Sequence, residues 1–152
     1  MRLFIDKAVP EAWKSAEAHS VAVSAAAEKH GLSRTEVELI DVRASQINGC
    51  AYCLDMHSRQ AREAGVTQQM LDLLPAWRET EIFDERMCAV LAVAEAATRM
   101  PLSEEARADL SGARQVLGDE AFAAAEWVAV TINMFNRVSI LSGHPVRPRR
   151  EQ

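Results

Sequence analysis

The 152-residue sequence has little glycine (6) and little proline (5). It is therefore poor in residues that break helices or build tight turns between strands. No segment alternates apolar and polar residues over strand length, which excludes a half-buried sheet as the main architecture. No apolar run reaches the roughly 18 residues of a spanning helix, and residues 1–10 hold no uninterrupted apolar stretch of signal-peptide length. The expected location is the cytoplasm. Basic charge is also short, with 17 Lys and Arg against 22 Asp and Glu and a formal charge of −5. Binding to phosphates needs clustered cations, and the only cluster, Arg147, Arg149 and Arg150, lies at the C-terminal end. Nucleic acid is excluded as a main partner. No glycine-rich loop follows a strand, so no tightly bound organic cofactor is expected. Three cysteines do not make a disulfide framework. In a reducing compartment, closely spaced cysteines point to redox chemistry or metal binding instead.

What is present favours helices. Apolar residues make up 49% of the chain and alanine is abundant. Alanine loses no side-chain entropy in a helix. Start and stop signals divide the chain into about seven helices in one domain over 1–143, with 144–152 as a tail. Pro10 opens a helix over 10–30 that Gly31 ends. Ser33-Arg34-Thr35-Glu36 reads as a capping box for a helix from Arg34 to about Asn48-Gly49. A third helix runs from Cys50 to Ala64, and Thr67 caps a short one that Pro75 closes. Asp84 caps a helix over 85–99, Ser103 caps the next to Gly118, and Asp119 caps a long last helix to Ser142. On that last helix Trp127, Val130, Met134, Val138 and Leu141 form one apolar stripe, and further apolar residues flank it. Such a helix is either central in the fold or buried between subunits, and the expectation is a homo-oligomer.

The chemistry gathers in Ser45-Gln46-Ile47-Asn48-Gly49-Cys50-Ala51-Tyr52-Cys53-Leu54-Asp55-Met56-His57. If a helix begins at Cys50, then Cys50, Cys53 and His57 fall at i, i+3 and i+7 on one face. Free amides at a helix start favour a thiolate. A thiolate attacks the O–O bond of a hydroperoxide or a disulfide sulfur. After attack on peroxide the resulting sulfenic acid condenses with a second thiol to a disulfide. His57 sits one turn from Cys53 and can take or relay its proton. The rival chemistry is a metal site on Cys50, Cys53 and His57 with Glu38 as a fourth ligand, although no second Cys or His pair completes it. Haem attachment needs His directly after the second Cys, and position 54 is Leu.

The same run resembles the signature of the alkylhydroperoxidase D-like (AhpD-like) proteins of the carboxymuconolactone decarboxylase superfamily. The likeness extends through Trp77-Arg78, Phe83, Glu85-Arg86, Ala94-Glu95-Ala96 and Ile132-Asn133-Met134-Phe135-Asn136-Arg137. It implies an all-helical fold, trimers or hexamers, and a Glu–Cys–Cys–His proton-relay site. By position these residues are Glu38, Cys50, Cys53 and His57. It further implies that peroxide meets Cys53 first and Cys50 resolves, whereas helix-dipole reasoning alone favours Cys50. Tyr52 stands where the best-known alkylhydroperoxidase D has a further His. The decarboxylase branch lacks the Cys pair. The implied activity is thiol-dependent peroxidase, with a lipoyl-type or thioredoxin-like protein as the external reductant. General disulfide reduction and a non-catalytic redox-sensing oligomer are the alternatives.

Other polar residues read as structural. Glu36 serves the capping box, and Asp41 lies three residues beyond Glu38 on a partly different face. Glu38 shares its face with Val42 and Ser45 and is expected to point inward, where a carboxyl suits a proton relay. Cys88 is expected to be buried in an alanine-rich helix. His19 and His30 are expected in solvent, and His144 has no visible partner. Asn133, Asn136 and Arg137 are assigned to structural or interface bonds, and Trp77 and Phe83 to packing.

Overall fold

The computed structural model describes residues 2–149. Its helices are α1 (Ile5–Ala8), α2 (Pro10–Lys29), α3 (Arg34–Asn48), α4 (Ala51–Glu63), α5 (Gln68–Leu73), α6 (Glu85–Thr98), α7 (Glu104–Leu117) and α8 (Asp119–Ser142), with a 3-10 segment over Leu74–Glu79. No strand occurs among the described residues. The boundaries follow from capping chemistry. Ser33 Oγ accepts from the Glu36 amide at 3.1 Å while Glu36 Oε2 accepts from the Ser33 amide at 2.8 Å, a complete capping box. Thr67, Asp84 and Ser103 each accept an amide hydrogen bond at the start of α5, α6 and α7.

Four local differences from the sequence reading have physical causes. The turn α1 precedes Pro10 and pins the N-terminus to the end of α8, where the Ile5 amide donates to Ser142 Oγ at 3.1 Å. Pro75 does not close the chain's helical path. Its fixed φ suits the first turn of the 3-10 segment that follows α5. Cys50 is the N-cap of α4, not its first helical residue, and its Sγ accepts from the Cys53 amide at 3.4 Å. Gly118, at φ 79° and ψ 162°, is the N-cap of α8, a conformation that favours glycine. Asp119 moves into the first turn, where it accepts from Arg114 Nε at 2.7 Å.

Two apolar clusters make the core, and α3 contributes to both. Ile40 and Ala44 pack with Val90, Val93, Ala125, Ala129 and Ile132 of α6 and α8. Leu39 and Val42 pack with Ala61, Leu74, Trp77, Phe83 and Leu91. The central helices are thus α3 and α6, with every residue from Ala89 to Ala96 buried. The last helix is central along one side only. Its Trp127, Val130 and Leu141 are 55%, 52% and 63% exposed, so much of the predicted stripe faces outward.

A buried ionic hub ties these layers. Arg43 Nε and Nη2 donate to Glu95 Oε1 at 2.8 and 2.6 Å, and Trp77 Nε1 donates to the same oxygen at 3.1 Å. Arg78 and Arg99 reach Glu95 Oε2 at 3.2 and 3.3 Å. Burial alone would raise the Glu95 pKa, but the bonds from Arg43 and Trp77 hold it below the ordinary carboxylate value.

Candidate active site

Helix α3 presents Glu38 and Asp41, one turn apart on the same side. Gly49 then takes the left-handed conformation at φ 68° and reverses the chain, so that α4 returns beside α3. The turn is held from behind. Asn136 is fully buried, donates to Ser45 Oγ at 3.0 Å and accepts from Asn48 Nδ2 at 2.9 Å. Asn48 Nδ2 also donates to Asn133 Oδ1 at 2.9 Å, and Arg137 donates to that oxygen at 2.9 Å. These α8 residues brace the α3–α4 turn and are absent from the cavity lining, in keeping with the structural reading.

Cys50 and Cys53 are paired as a disulfide, with Cα atoms 5.4 Å apart. Both are buried. Cys53 borders a cavity of about 600 Å³ between α2, α3, α4 and α8, whereas Cys50 does not. His57, one turn along α4, opens onto the same cavity and lies 3.0 Å through Nδ1 from Glu38 Oε2. With Nδ1–H donated to the carboxylate, Nε2 is left to accept or return a proton on the cavity side. Burial alone would lower the His57 pKa, but the Glu38 hydrogen bond and the charges of Asp41 and Glu38 raise it.

Asp41 is the site residue that the sequence reading passed over. Its Oδ2 lies 3.5 Å from His57 Nδ1, so two carboxyl groups face one imidazole nitrogen. The signal was available, because i, i+3 spacing from Glu38 shares a helix side. Burial pushes the Asp41 carboxyl up to about 7, with Glu38 adding to the rise and His57 opposing it. Among the described residues, Glu38, Asp41 and His57 offer ligand atoms within 4.8 Å of one another. That set differs from the Cys50, Cys53 and His57 metal site considered from sequence, whose sulfurs are paired with each other.

The raised Asp41 pKa has a consequence for stability. A carboxyl that binds its proton more tightly folded than unfolded stabilises the fold fully below its ordinary value of 3.8. That contribution is lost as pH rises through about 7. Asp41→Asn removes the dependence. Between about pH 4.5 and about pH 8 the variant is expected to gain roughly 2–4 kcal/mol on the wild type in urea unfolding. A difference independent of pH would contradict the assignment.

Several expectations need correction around the cavity. His144, expected without a partner, has Nε2 3.2 Å from Asp6 and Nδ1 3.2 Å from Ser139. It packs edge-on against Phe4 and Tyr52, because α1 and the end of α8 meet over the start of α4. Residues after Gly143 also reach α4, where Arg149 pairs with Asp55. His19 is half-buried, bonds Thr131 Oγ1 at 3.0 Å and packs edge-on against Trp127. His30 lies 3.1 Å from Glu120. Cys88 is half-buried, donates to the Phe83 carbonyl at 3.6 Å, and has its pKa raised mainly by burial. Trp77 and Phe83 pack in the core, as expected.

The all-helical fold of the described residues, with the Cys50/Cys53 pair opening α4, is AhpD-like. The carboxymuconolactone decarboxylase family model matches residues 10–96. The chain belongs to the carboxymuconolactone decarboxylase family. It is 34% identical over 113 residues to the uncharacterized protein YdfG of Bacillus subtilis, covering 74% of this chain and 77% of that one. It is 42% identical over 41 residues to the alkyl hydroperoxide reductase AhpD of Nocardia farcinica, covering 27% of this chain and 23% of that one. A crystal structure from Agrobacterium tumefaciens, of a protein of unknown function described as a candidate antioxidant defence protein AhpD, superposes with a TM-score of 0.80. The two are 31% identical over 97% of this chain and 99% of that one.

Proposed function

We propose that the protein is a thiol-dependent peroxidase acting through a Cys50/Cys53 dithiol–disulfide cycle with Glu38 and His57 as proton relay. The observation that carries the reading is the disulfide-paired Cys50 and Cys53, with Cys53 sharing a cavity with a carboxylate-bound His57. In the reduced protein, the Cys53 thiolate attacks the distal oxygen of the hydroperoxide. The O–O bond breaks, the alkoxide takes a proton from His57 and leaves as the alcohol, and Cys53 becomes a sulfenic acid. The Cys50 thiol attacks that sulfur, water leaves, and the disulfide forms. An external dithiol of the lipoyl or thioredoxin type then restores both thiols by exchange and is itself oxidised.

The position of Cys53 on the cavity favours it over Cys50 as the sulfur that meets peroxide. The alkyl hydroperoxide reductase relatives match a segment of the chain, and their activity supports this reading for the dithiol. The exposed Trp127, Val130 and Leu141 on α8 support a homo-oligomer with this face in the contact. Among the described residues no helix is long and apolar enough to cross a membrane.

The test is a count of free thiols on the reduced protein before and after one equivalent of an organic hydroperoxide. Two of the three thiols are expected to disappear and to return with a dithiol reductant. Survival of all three would remove peroxide reduction as the activity and leave disulfide exchange as the chemistry to examine.

A further inference from the structure

The cavity beside Cys53 carries a chemical bias of its own. Its volume of about 600 Å³ is that of a site for a small organic molecule. Its walls are largely apolar, with Val23, Val128 and Ile132 buried at one side. Four carboxyl groups line it, those of Asp6, Glu17, Glu38 and Asp41. Among the described residues no Lys or Arg does. The two imidazoles present are already taken, His57 by Glu38 and Asp41 and His144 by Asp6. Glu17 has no ion-pair partner among the described residues, so a negative charge stands at the wall with nothing to offset it.

Resting on the peroxidase reading, the geometry points to uncharged apolar organic hydroperoxides as the substrate class, with carboxylate-bearing hydroperoxides rejected. An anionic substrate entering the cavity loses water, finds no Lys or Arg to pair with and His57 already held by Glu38, and meets the Glu17 carboxylate of its own sign. An uncharged aromatic or branched alkyl peroxide loses only apolar hydration, which favours binding. The reacting –OOH group is the same in both cases. The discrimination therefore lies in binding the remainder of the molecule and is expected in KM more than in kcat.

The experiment compares cumene hydroperoxide with its ring-carboxylated analogue on the full chain, with hydrogen peroxide as a probe too small to meet the walls. At low salt the uncharged peroxide is expected to exceed the carboxylated one by about tenfold or more in kcat/KM, with the gap narrowing as salt rises. Glu17→Lys, an exposed change on α2 that supplies one cation, is expected to shrink or invert the gap. Equal rates for the two organic peroxides, or a gap that Glu17→Lys leaves untouched, would overturn the charge selection while leaving the peroxidase reading in place. If none of the three peroxides consumes thiols, the peroxidase reading itself fails. Calorimetric binding of the two corresponding alcohols then decides the charge selection: tighter binding of the uncharged alcohol supports it, and equal or weaker binding overturns it.

Discussion

Replacing Cys53 by Ser is expected to abolish peroxide turnover, with a loss of about 10⁴-fold or more in the rate of thiol-dependent reduction. Serine is nearly isosteric, but its hydroxyl stays protonated at neutral pH and is a poor nucleophile toward an O–O bond. Cys50→Ser is expected to behave differently. Cys53 can still be oxidised once, so one equivalent of peroxide is consumed in a burst and the cycle stops at the sulfenic acid. The pair of variants separates the two sulfurs by role. A burst in Cys53→Ser and none in Cys50→Ser would reverse the order and restore the expectation from the helix dipole, which favoured the cysteine nearer the helix start. The cavity supports the first outcome, because Cys53 borders it and Cys50 does not.

The second large effect concerns the fold. Glu95→Ala leaves Arg43, 7% exposed, without the carboxylate that accepts from its Nε and Nη2, and leaves the buried Trp77 indole N–H without its acceptor. Removing one partner of a buried ion pair typically costs about 3–5 kcal/mol, a large share of the roughly 5–15 kcal/mol that holds a domain together. Urea unfolding followed by tryptophan fluorescence measures it. A double variant that also replaces Arg43 by Met is expected to recover much of the loss, because the uncompensated charge is then gone. A loss under about 1 kcal/mol in the single variant would mean that water, or Gln46, whose Oε1 already accepts from Arg43 Nη1 at 3.1 Å, satisfies Arg43 in place of Glu95.

Much of this was legible in the chain itself. The ends of α3, α6 and α7 follow from Ser33, Asp84 and Ser103, because a capping side chain acts on amides two or three residues away and needs no distant partner. The Cys50, Cys53 and His57 set is likewise local, three side chains within two turns of one helix start. Glu38 could be aligned with it only through the family resemblance, since α3 and α4 face each other only after Gly49 turns the chain. The same dependence hid Asp41. Its face on α3 could be read approximately, but whether it met His57 depended on the crossing of two helices. His144 lay further from reach, because its partners Asp6 and Phe4 stand near the opposite end of the sequence.

Taken alone, the sequence determined that the protein is helical, where most of its helices begin, and that one short segment holds a dithiol and a histidine. These properties depend on backbone propensity, caps and i, i+3, i+4 spacing, which act within a few residues. Tertiary structure alone decided that α3 and α6, more than α8, sit at the centre. It also decided that Cys53 and not Cys50 meets the cavity, that two carboxyls converge on His57, and that among the described residues no Lys or Arg lines the cavity. Those outcomes are set by how whole helices pack, where burial of Leu39, Ile40, Val90 and Leu91 rewards one arrangement and desolvation penalises any that strands a charge such as Arg43.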